Sequence, residues 1–301
     1  MKTDNPIVGI NFSRIDKTVC EYVDFLSTKI PISTVNNLFV FTARGSFNAL
    51  QKDTNYKEGE LFLKTLKNEM SNKLSGFYKN NIKIKNHAVA GLFVESIYHE
   101  FNKTNTDMIF VGKETKAHGM NSKFLIRTIP ASTFIVPQKA KHKLGHVLIV
   151  LDNTGHSKHL LQKALDFCQK VNPVPKITCL HVVHWAHLAV LDNSIINNYQ
   201  FYSGTDMNML IQSQLKREEE DFKVFVKENA KDFENLDIKV KIIEEKGKNA
   251  YAAAKDYLDH HRLDLAILGT KSHSGFDAHL MGSFAEGLIT VNDKTPLLVI
   301  R

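Results

Sequence analysis

The sequence contains few of the features that mark secreted, membrane and metal-binding proteins. Its 301 residues include three cysteines, Cys20, Cys168 and Cys179, which are too few and too widely spaced for a disulfide framework or a thiolate zinc site. Each lies in a periodic apolar segment, so we expect buried, unreactive thiols. The chain has no uninterrupted apolar run of about 18 residues, the length that a membrane-spanning helix needs, and its first 14 residues contain no apolar core of a secretory signal. We therefore expect a soluble, cytoplasmic protein.

The chain also has only a small excess of charge of one sign. Its 39 lysines and arginines and 32 aspartates and glutamates give a net charge of +7. This excess is spread along the chain, and no block is basic enough to predict nucleic-acid binding. Hydrophobic residues make up 43% of the chain and charged residues 24%, a composition that can form a packed core and excludes disorder. The length is twice the commonest domain size of about 100–150 residues.

Familiar catalytic motifs are missing as well. The sequence has no Walker A run, no Gly-x-Gly-x-x-Gly, no His-Glu-x-x-His and no serine–glycine loop of the pyrophosphatase type after its first strand. His181, His184 and His187 follow one another at spacings of three, but histidines along a strand end and the loop after it rarely converge on one ion. We therefore expect no metal site.

What the sequence does contain is an internal repeat. An apolar strand, a turn and an amphipathic helix begin at Pro6, and the same succession begins again at His146. Later features recur in the same order, namely second strands from Asn37 and Lys176, third strands ending at Gly91 and Gly247, fourth strands from Thr106 and Leu263, and last strands from Thr133 and Leu297. The chain therefore divides into a first half, residues 1–138, and a second half, residues 145–301, with a polar linker around residues 137–145.

Each half alternates strands with helices in the order β-α-β-α-β-α-β-α-β. The strands are short and continuously apolar, as expected for a parallel sheet that helices cover on both faces. Apolar periodicity predicts helices over about residues 16–29, 56–77, 157–170 and 206–233, whereas residues 185–204 have no clear period and are expected to form a loop with a short helical piece. We predict two tandem doubly wound α/β domains, each with a five-stranded parallel sheet flanked by helices.

The segment after the fourth strand of the second half is the best candidate for a ligand site. Open parallel sheets bind ligands beyond the carboxyl ends of their strands, and here Gly269 follows a strand while Gly282 and Ser283 open a helix. Glycines let backbone N–H groups approach a phosphate closely, a helix N-terminus adds partial positive charge, and His273 can serve as a cation. A structural alternative fits the same residues, because Ser283 and Glu286 have the spacing of a capping box.

The run from Gly269 to Ser283 resembles the nucleotide-binding signature of the universal stress protein family, Gly-x2-Gly-x9-Gly-Ser/Thr, and the whole chain resembles a tandem member with two fused domains. The resemblance implies an adenine nucleotide alpha hydrolase-like fold, domains that pair through their last strands and, in one subgroup, bound ATP or a related adenine nucleotide. Here the last strands are residues 133–136 and Leu297–Ile300, so the pair would be an intramolecular pseudo-dimer that hides two sheet edges. A further homodimer of two chains remains open.

The resemblance also assigns site residues in the second half. Asp152 matches the aspartate after strand one that contacts the nucleoside, and Val182 or its neighbour Val183 matches the adenine-side valine of strand two. The phosphate-loop positions match Gly269, Ser272, Gly282 and Ser283, followed by the backbone of Phe284, with His273 in the loop. Ser272 departs from the family's nucleotide binders, which have glycine there. If that residue needs a positive φ, its side chain costs about 1 kcal/mol.

The first half departs much further from the signature. Asn11 stands where Asp152 does, Thr115 replaces the second glycine, and the same spacing reaches Leu125 and Ile126 instead of Gly-Ser. The stretch between its fourth and fifth strands is also seven residues shorter, 20 against 27. We therefore predict that the first half is a degenerate domain, a structural partner without a phosphate site of this type.

Three functional classes follow from these observations. The leading hypothesis is a regulatory or sensor protein that binds an adenine nucleotide in its second half and responds by a change of shape or partner affinity, with at most slow ATP hydrolysis. The alternative is a stress-response interaction module that binds no nucleotide, both sites being vestigial, which Ser272 and the shortened first half support. The third class is an enzyme acting on a nucleotide. The sequence argues against it, because no nucleophile stands beside an evident base.

Overall fold

The structure is a computed structural model that describes residues 1–42, 57–115, 119–152, 155–183, 204–245, 249–270 and 281–301. These residues form ten strands and eight α-helices. The first half contains β1 (Ile7–Ile10), α1 (Ile15–Ser27), β2 (Thr34–Phe41), α2 (Lys57–Leu74), β3 (Lys83–Ala90), α3 (Phe93–Thr104), β4 (Met108–Lys113), α4 (Met120–Thr128) and β5 (Ser132–Pro137). The second half contains β6 (His146–Leu151), α5 (Gly155–Lys170), β7 (Lys176–Val183), α6 (Gly204–Asn229), β8 (Ile238–Glu244), α7 (Ala250–His260), β9 (Leu265–Gly269), α8 (Ser283–Val291) and β10 (Leu297–Ile300).

All ten strands belong to one sheet with the order β3-β2-β1-β4-β5-β10-β9-β6-β7-β8. Neighbouring strands within each half are parallel, and both halves have the same order. At the centre β5 and β10 are antiparallel, with Leu298 opposite Phe134 and Val299 opposite Thr133. The predicted α/β fold class is confirmed, and so is the predicted pairing of the last strands within the chain.

Helices cover both faces of the sheet, which explains why its strands are apolar along their whole length. α1, α2, α5 and α6 pack on one face, and α3, α4, α7 and α8 pack on the other. Each core includes side chains from both halves. On the first face Phe134 of β5 stacks on Phe110 of β4 at 4.7 Å between ring centroids and lies 5.8 Å from Phe167 of α5. Both cores therefore continue across the junction of β5 and β10.

The outermost strands, β3 and β8, carry lysines that oppose further pairing. Lys83 and Lys85 on β3 are exposed, as are Lys239 and Lys241 on β8. Charged side chains on an edge strand disfavour the addition of a strand from another chain. The sheet is therefore protected by charge at its two edges and is continuous at its centre.

The helices predicted from apolar periodicity agree with the structure apart from small shifts at their ends. The helix predicted over residues 16–29 is Ile15–Ser27, and that predicted over 157–170 is Gly155–Lys170. α2 and α6 each continue into a short 3₁₀ helix, Ser75–Phe77 and Lys231–Phe233, which accounts for the longer predicted segments. The loop predicted at residues 185–204 lies outside the described residues, except that Gly204 begins α6. No helix in the described ranges is long and apolar enough to cross a membrane.

All three cysteines are free and fully buried. Burial raises the pKa of Cys20 and of Cys179 to about 12 and also raises the pKa of Cys168. Because the thiolate is the reactive form, these residues are unreactive at neutral pH, which confirms the expectation from the sequence.

Candidate functional site

The sheet reverses its strand order between β6 and β9, two parallel neighbours of the second half. From β6 the chain passes through α5 to β7 on one side, and from β9 it passes through α8 to β10 on the other. Because α5 and α8 lie on opposite faces of the sheet, their N-terminal ends lie on either side of this reversal, and we call the position between them the crevice. Open parallel sheets bind ligands at such a position.

Asp152 is the first residue after β6 and lies half-buried at this crevice. Its N–H donates a hydrogen bond to Oγ of Ser157 in α5 at 3.1 Å, and the Ser157 hydroxyl donates in turn to Oδ1 of Asp152. Ser157 is buried, so the two bonds fix the carboxylate relative to the first turns of α5. Ser157 could not be recognised as a site residue from the sequence, because it stands five residues after Asp152 and outside the motifs found there.

Backbone hydrogen bonds hold together the two ends of the loop that follows β9. Gly269 ends β9, and a Cβ there would lie 3.2 Å from Cδ2 of Leu160 in α5. The N–H of Thr270 donates to the carbonyl of Ile300 in β10 at 3.1 Å, and the Thr270 carbonyl accepts the N–H of Gly282 at 2.9 Å. The two ends of the loop therefore meet beside the start of α8. Its residues Ser272 and His273 lie outside the described part of the chain.

α8 begins at Ser283 and has Gly282 as its N-cap, and no described side chain caps it. The first bond within the helix runs from the N–H of Glu286 to the carbonyl of Gly282 at 3.1 Å. The capping-box alternative is wrong, because Ser283 is an exposed helical residue and the Glu286 carboxylate pairs with Arg127 of α4. The N–H groups of the first turn, from Ser283 onward, have no partner inside the helix, and the helix dipole adds partial positive charge there.

Two apolar residues that the resemblance assigned, Val182 and Phe284, are half-buried and pack against the core on the α8 face of the sheet. Val182 lies on β7 opposite Ile243 of β8. Its neighbour Val183 is only 5% exposed, and the Val183 carbonyl accepts the N–H of Glu245 at 3.3 Å. Of the two valines, Val182 is therefore the one with accessible apolar surface at the carboxyl end of β7.

The corresponding crevice of the first half, between β1 and β4, has a different electrostatic character. Asn11 follows β1, and its N–H donates to Oδ1 of Asp16 in α1 at 3.1 Å, so a carboxylate occupies the place that the Ser157 hydroxyl has in the second half. Asp16 is 1% exposed, its Oδ2 has no hydrogen-bond partner within the described residues, and burial raises its pKa. An anion bound at this helix terminus would meet a buried acidic group.

Histidines and acids do not converge in the part of the chain that the structure describes, where no group of three or more metal-binding side chains occurs. His181 of β7 lies within it. Its Nδ1 is 3.0 Å from the carbonyl oxygen of Leu151, and its ring is 5.2 Å from that of Phe222 between centroids. His184 and His187 lie outside the described residues.

Comparison with known proteins relates the chain to one family. The model of the universal stress protein family matches residues 143–301, more than half of the chain. No curated protein matches the chain in sequence. A universal stress protein from Archaeoglobus fulgidus DSM 4304 is similar in structure over 99% of this chain and 96% of its own, with a TM-score of 0.62 and 14% identity. A functionally unknown protein from Pseudomonas aeruginosa PAO1 is similar over 98% of this chain and 92% of its own, with a TM-score of 0.56 and 13% identity.

Proposed function

The chain belongs to the universal stress protein family, and we propose that it is a regulatory or sensor protein that binds ATP or a related adenine nucleotide in the crevice between β6 and β9. The start of α8 is the observation that carries this proposal. Its first-turn N–H groups are not used by a capping box, and they carry the positive end of the helix dipole. They also lie at the same end of the sheet as Asp152.

The surroundings of the site residues that the structure describes support their roles in the proposed complex. The Asp152 carboxylate, held by Ser157, accepts hydrogen bonds from the ribose hydroxyls, and Val182 contacts the adenine ring. The N–H of Gly282 already donates to the carbonyl of Thr270. Gly282 therefore lets the phosphates come close to the backbone but offers them no hydrogen bond. The phosphates lie over the loop and the first turn of α8, next to Gly269, Ser272, His273, Gly282, Ser283 and the backbone of Phe284.

We further propose that residues 1–138 are a degenerate universal stress protein domain and that residues 145–301 are the nucleotide-binding domain. Asp16 supports this division, because a buried acidic group at the N-terminus of α1 already occupies the positive end of that helix dipole and disfavours a second anion. The first half then serves as a structural partner. Nucleotide binding changes the shape or partner affinity of the protein, with at most slow hydrolysis.

Denaturing the purified protein and assaying the supernatant for adenine nucleotides tests this proposal, together with calorimetric titration of nucleotide-free protein with ATP. We expect Asp152→Ala to weaken ATP binding about ten-fold or more, the loss typical of a hydrogen bond to a charged group. Asn11→Ala, at the corresponding position of the first half, is the matched control and should leave binding unchanged. The proposal would be refuted if no nucleotide is released and no binding is detected at millimolar ATP.

One residue, the serine at position 272, favours a second function. If position 272 needs a positive φ, Ser272 weakens the phosphate site, and the protein is then an interaction module of the family with both sites vestigial. Titration of Ser272→Gly with ATP separates the two functions. Tighter binding by the variant supports a nucleotide site, whereas no binding by either protein supports the interaction module.

A further inference from the structure

The first half holds the C-terminal end of α8, the helix whose N-terminal end belongs to the proposed nucleotide site. Lys113, the last residue of β4, is 3% exposed. Its Nζ donates hydrogen bonds to the carbonyl oxygens of Ile289 at 2.5 Å, Thr290 at 2.9 Å and Asn292 at 2.6 Å. One ammonium group thus uses all three of its protons on carbonyls at the end of a single helix.

From these contacts we infer that Lys113 is a positioning residue, through which the first half sets the affinity of the nucleotide site in the second half. This inference rests on the proposed function, because it concerns the regulation of the same site. It gives the first half an effect on ligand binding without a phosphate site of its own.

The position of α8 depends on what packs against it. With nine residues, α8 is shorter than the roughly 12–15 residues that an isolated helix needs to be even marginally stable in water. Two further cations of the first half contact it from α4: Arg127 pairs with the Glu286 carboxylate, and Nζ of Lys123 donates to Oγ1 of Thr290 at 2.7 Å. Lys113 differs from both because it binds the backbone of α8 and not its side chains.

A cation at the C-terminal end of a helix stabilises the helix by neutralising the negative end of its dipole. At 1.5 Å per residue α8 is about 13 Å long, so Lys113 at one end cannot contact a phosphate bound at the other. We therefore expect Lys113 to act on the site through the stability and position of α8.

The charge of Lys113 is sensitive to pH within an accessible range. Burial lowers its pKa to about 8, partly opposed by the attraction of Asp293. Lys123 of α4 and Lys255 of α7 repel the ammonium, while Lys139, beyond β5, pairs with Asp293 at 3.1 Å. The group is therefore charged at about pH 7 and mostly neutral at about pH 9.5, so its hold on α8 weakens as the pH rises.

The reciprocal contact of the second half provides a matched control. Nη1 of Arg301 donates to the carbonyls of Ile126 and Arg127 at the end of α4, at 3.4 and 3.1 Å. We expect Lys113→Met to weaken ATP binding about five-fold at pH 7, the scale of one charge at a helix terminus, and Arg301→Met to leave ATP binding unchanged. Between pH 7 and about 9.5 the affinity of the unaltered protein should fall towards that of Lys113→Met, whose own pH profile reports the other groups that titrate, among them Lys123, whose pKa burial also lowers.

Amide hydrogen exchange without ligand supplies a second readout. Lys113→Met should speed exchange in α8 about ten-fold, and Arg301→Met should do so in α4 instead. If Lys113→Met does not fold, Lys113→Gln, which keeps two donors, replaces it. If Lys113→Met and the unaltered protein have equal ATP affinities and equal pH profiles, this inference is overturned and the proposed function is not. Equal weakening of ATP binding by Lys113→Met and Arg301→Met would overturn it in the same way. No ATP binding by the unaltered protein would refute the proposed function and the affinity role with it, and unchanged exchange in α8 would independently overturn the positioning role.

Discussion

Gly112 of β4 and Gly269 of β9 occupy corresponding positions in the two halves, but their surroundings predict different costs of substitution by alanine. A Cβ at Gly112 would lie 2.4 Å from Cγ1 of Ile15 and 3.0 Å from Cγ2 of Val19. Ile15 and Val19 are 4% and 0% exposed, so neither can move into solvent. A Cβ at Gly269 would lie 3.2 Å from Cδ2 of Leu160, the far end of a side chain that is only half-buried.

The size of the difference follows from these distances. A contact of 2.4 Å at Gly112 is more than about 1 Å inside the optimal carbon–carbon separation, and overpacking of this kind costs about 1–3 kcal/mol. Neither glycine has a positive φ, so alanine also stabilises by about 0.4–1 kcal/mol through the unfolded chain. We expect Gly112→Ala to lower the free energy of unfolding by about 1–2 kcal/mol, and Gly269→Ala to change it by less than about 0.5 kcal/mol.

Urea denaturation followed by far-UV circular dichroism measures both changes, with separate transitions fitted if the halves unfold independently. Gly76→Ala is the control for a general effect of alanine, because no described atom lies within 4 Å of a Cβ built there. Gly269→Ala costing as much as Gly112→Ala, or Gly112→Ala costing nothing, would refute the reasoning. The first result would mean that Leu160 of α5 cannot move aside at Gly269, and the second that α1 is not held against β4 by close packing.

Two further predictions concern buried ionisable groups. The cysteines should resist a thiol reagent in the folded protein at about pH 8, because burial raises the pKa of each thiol, and rapid labelling before denaturant is added would contradict their burial. Burial also raises the pKa of Asp16 above 3.8. The folded protein therefore binds more protons than the unfolded chain between these two pKa values, and Asp16 makes the protein less stable as the pH rises through that window. The difference in free energy of unfolding between Asp16→Asn and the unaltered protein, measured in urea, should therefore rise in favour of the variant from about pH 4 to 7. A difference that stays flat or falls would show that Asp16 is not desolvated.

The architecture could be predicted from the sequence because the pattern of apolar residues records which face of each element is buried. A 3.6-residue period was enough to place α1 at residues 16–29, against Ile15–Ser27 in the structure. The internal repeat, together with the family resemblance, predicted the pairing of β5 with β10, which brings Leu298 opposite Phe134. That pairing hides the exposed edge of each five-stranded half at the same time.

Apolar periodicity is enough to predict the strands, the helices and the repeat, whereas the partner of each polar side chain depends on tertiary packing. Ser283 and Glu286 have capping-box spacing, but Glu286 pairs with Arg127, which is 159 residues away. Lys113 reaches the carbonyl of Ile289 across 176 residues. The first contact arises because α4 and α8 pack on the same face of the sheet beside the β5–β10 junction, and the second because the end of β4 lies next to the end of α8. Partners that meet only through packing leave no trace in the local pattern of either segment, so the electrostatics of the site had to come from the fold.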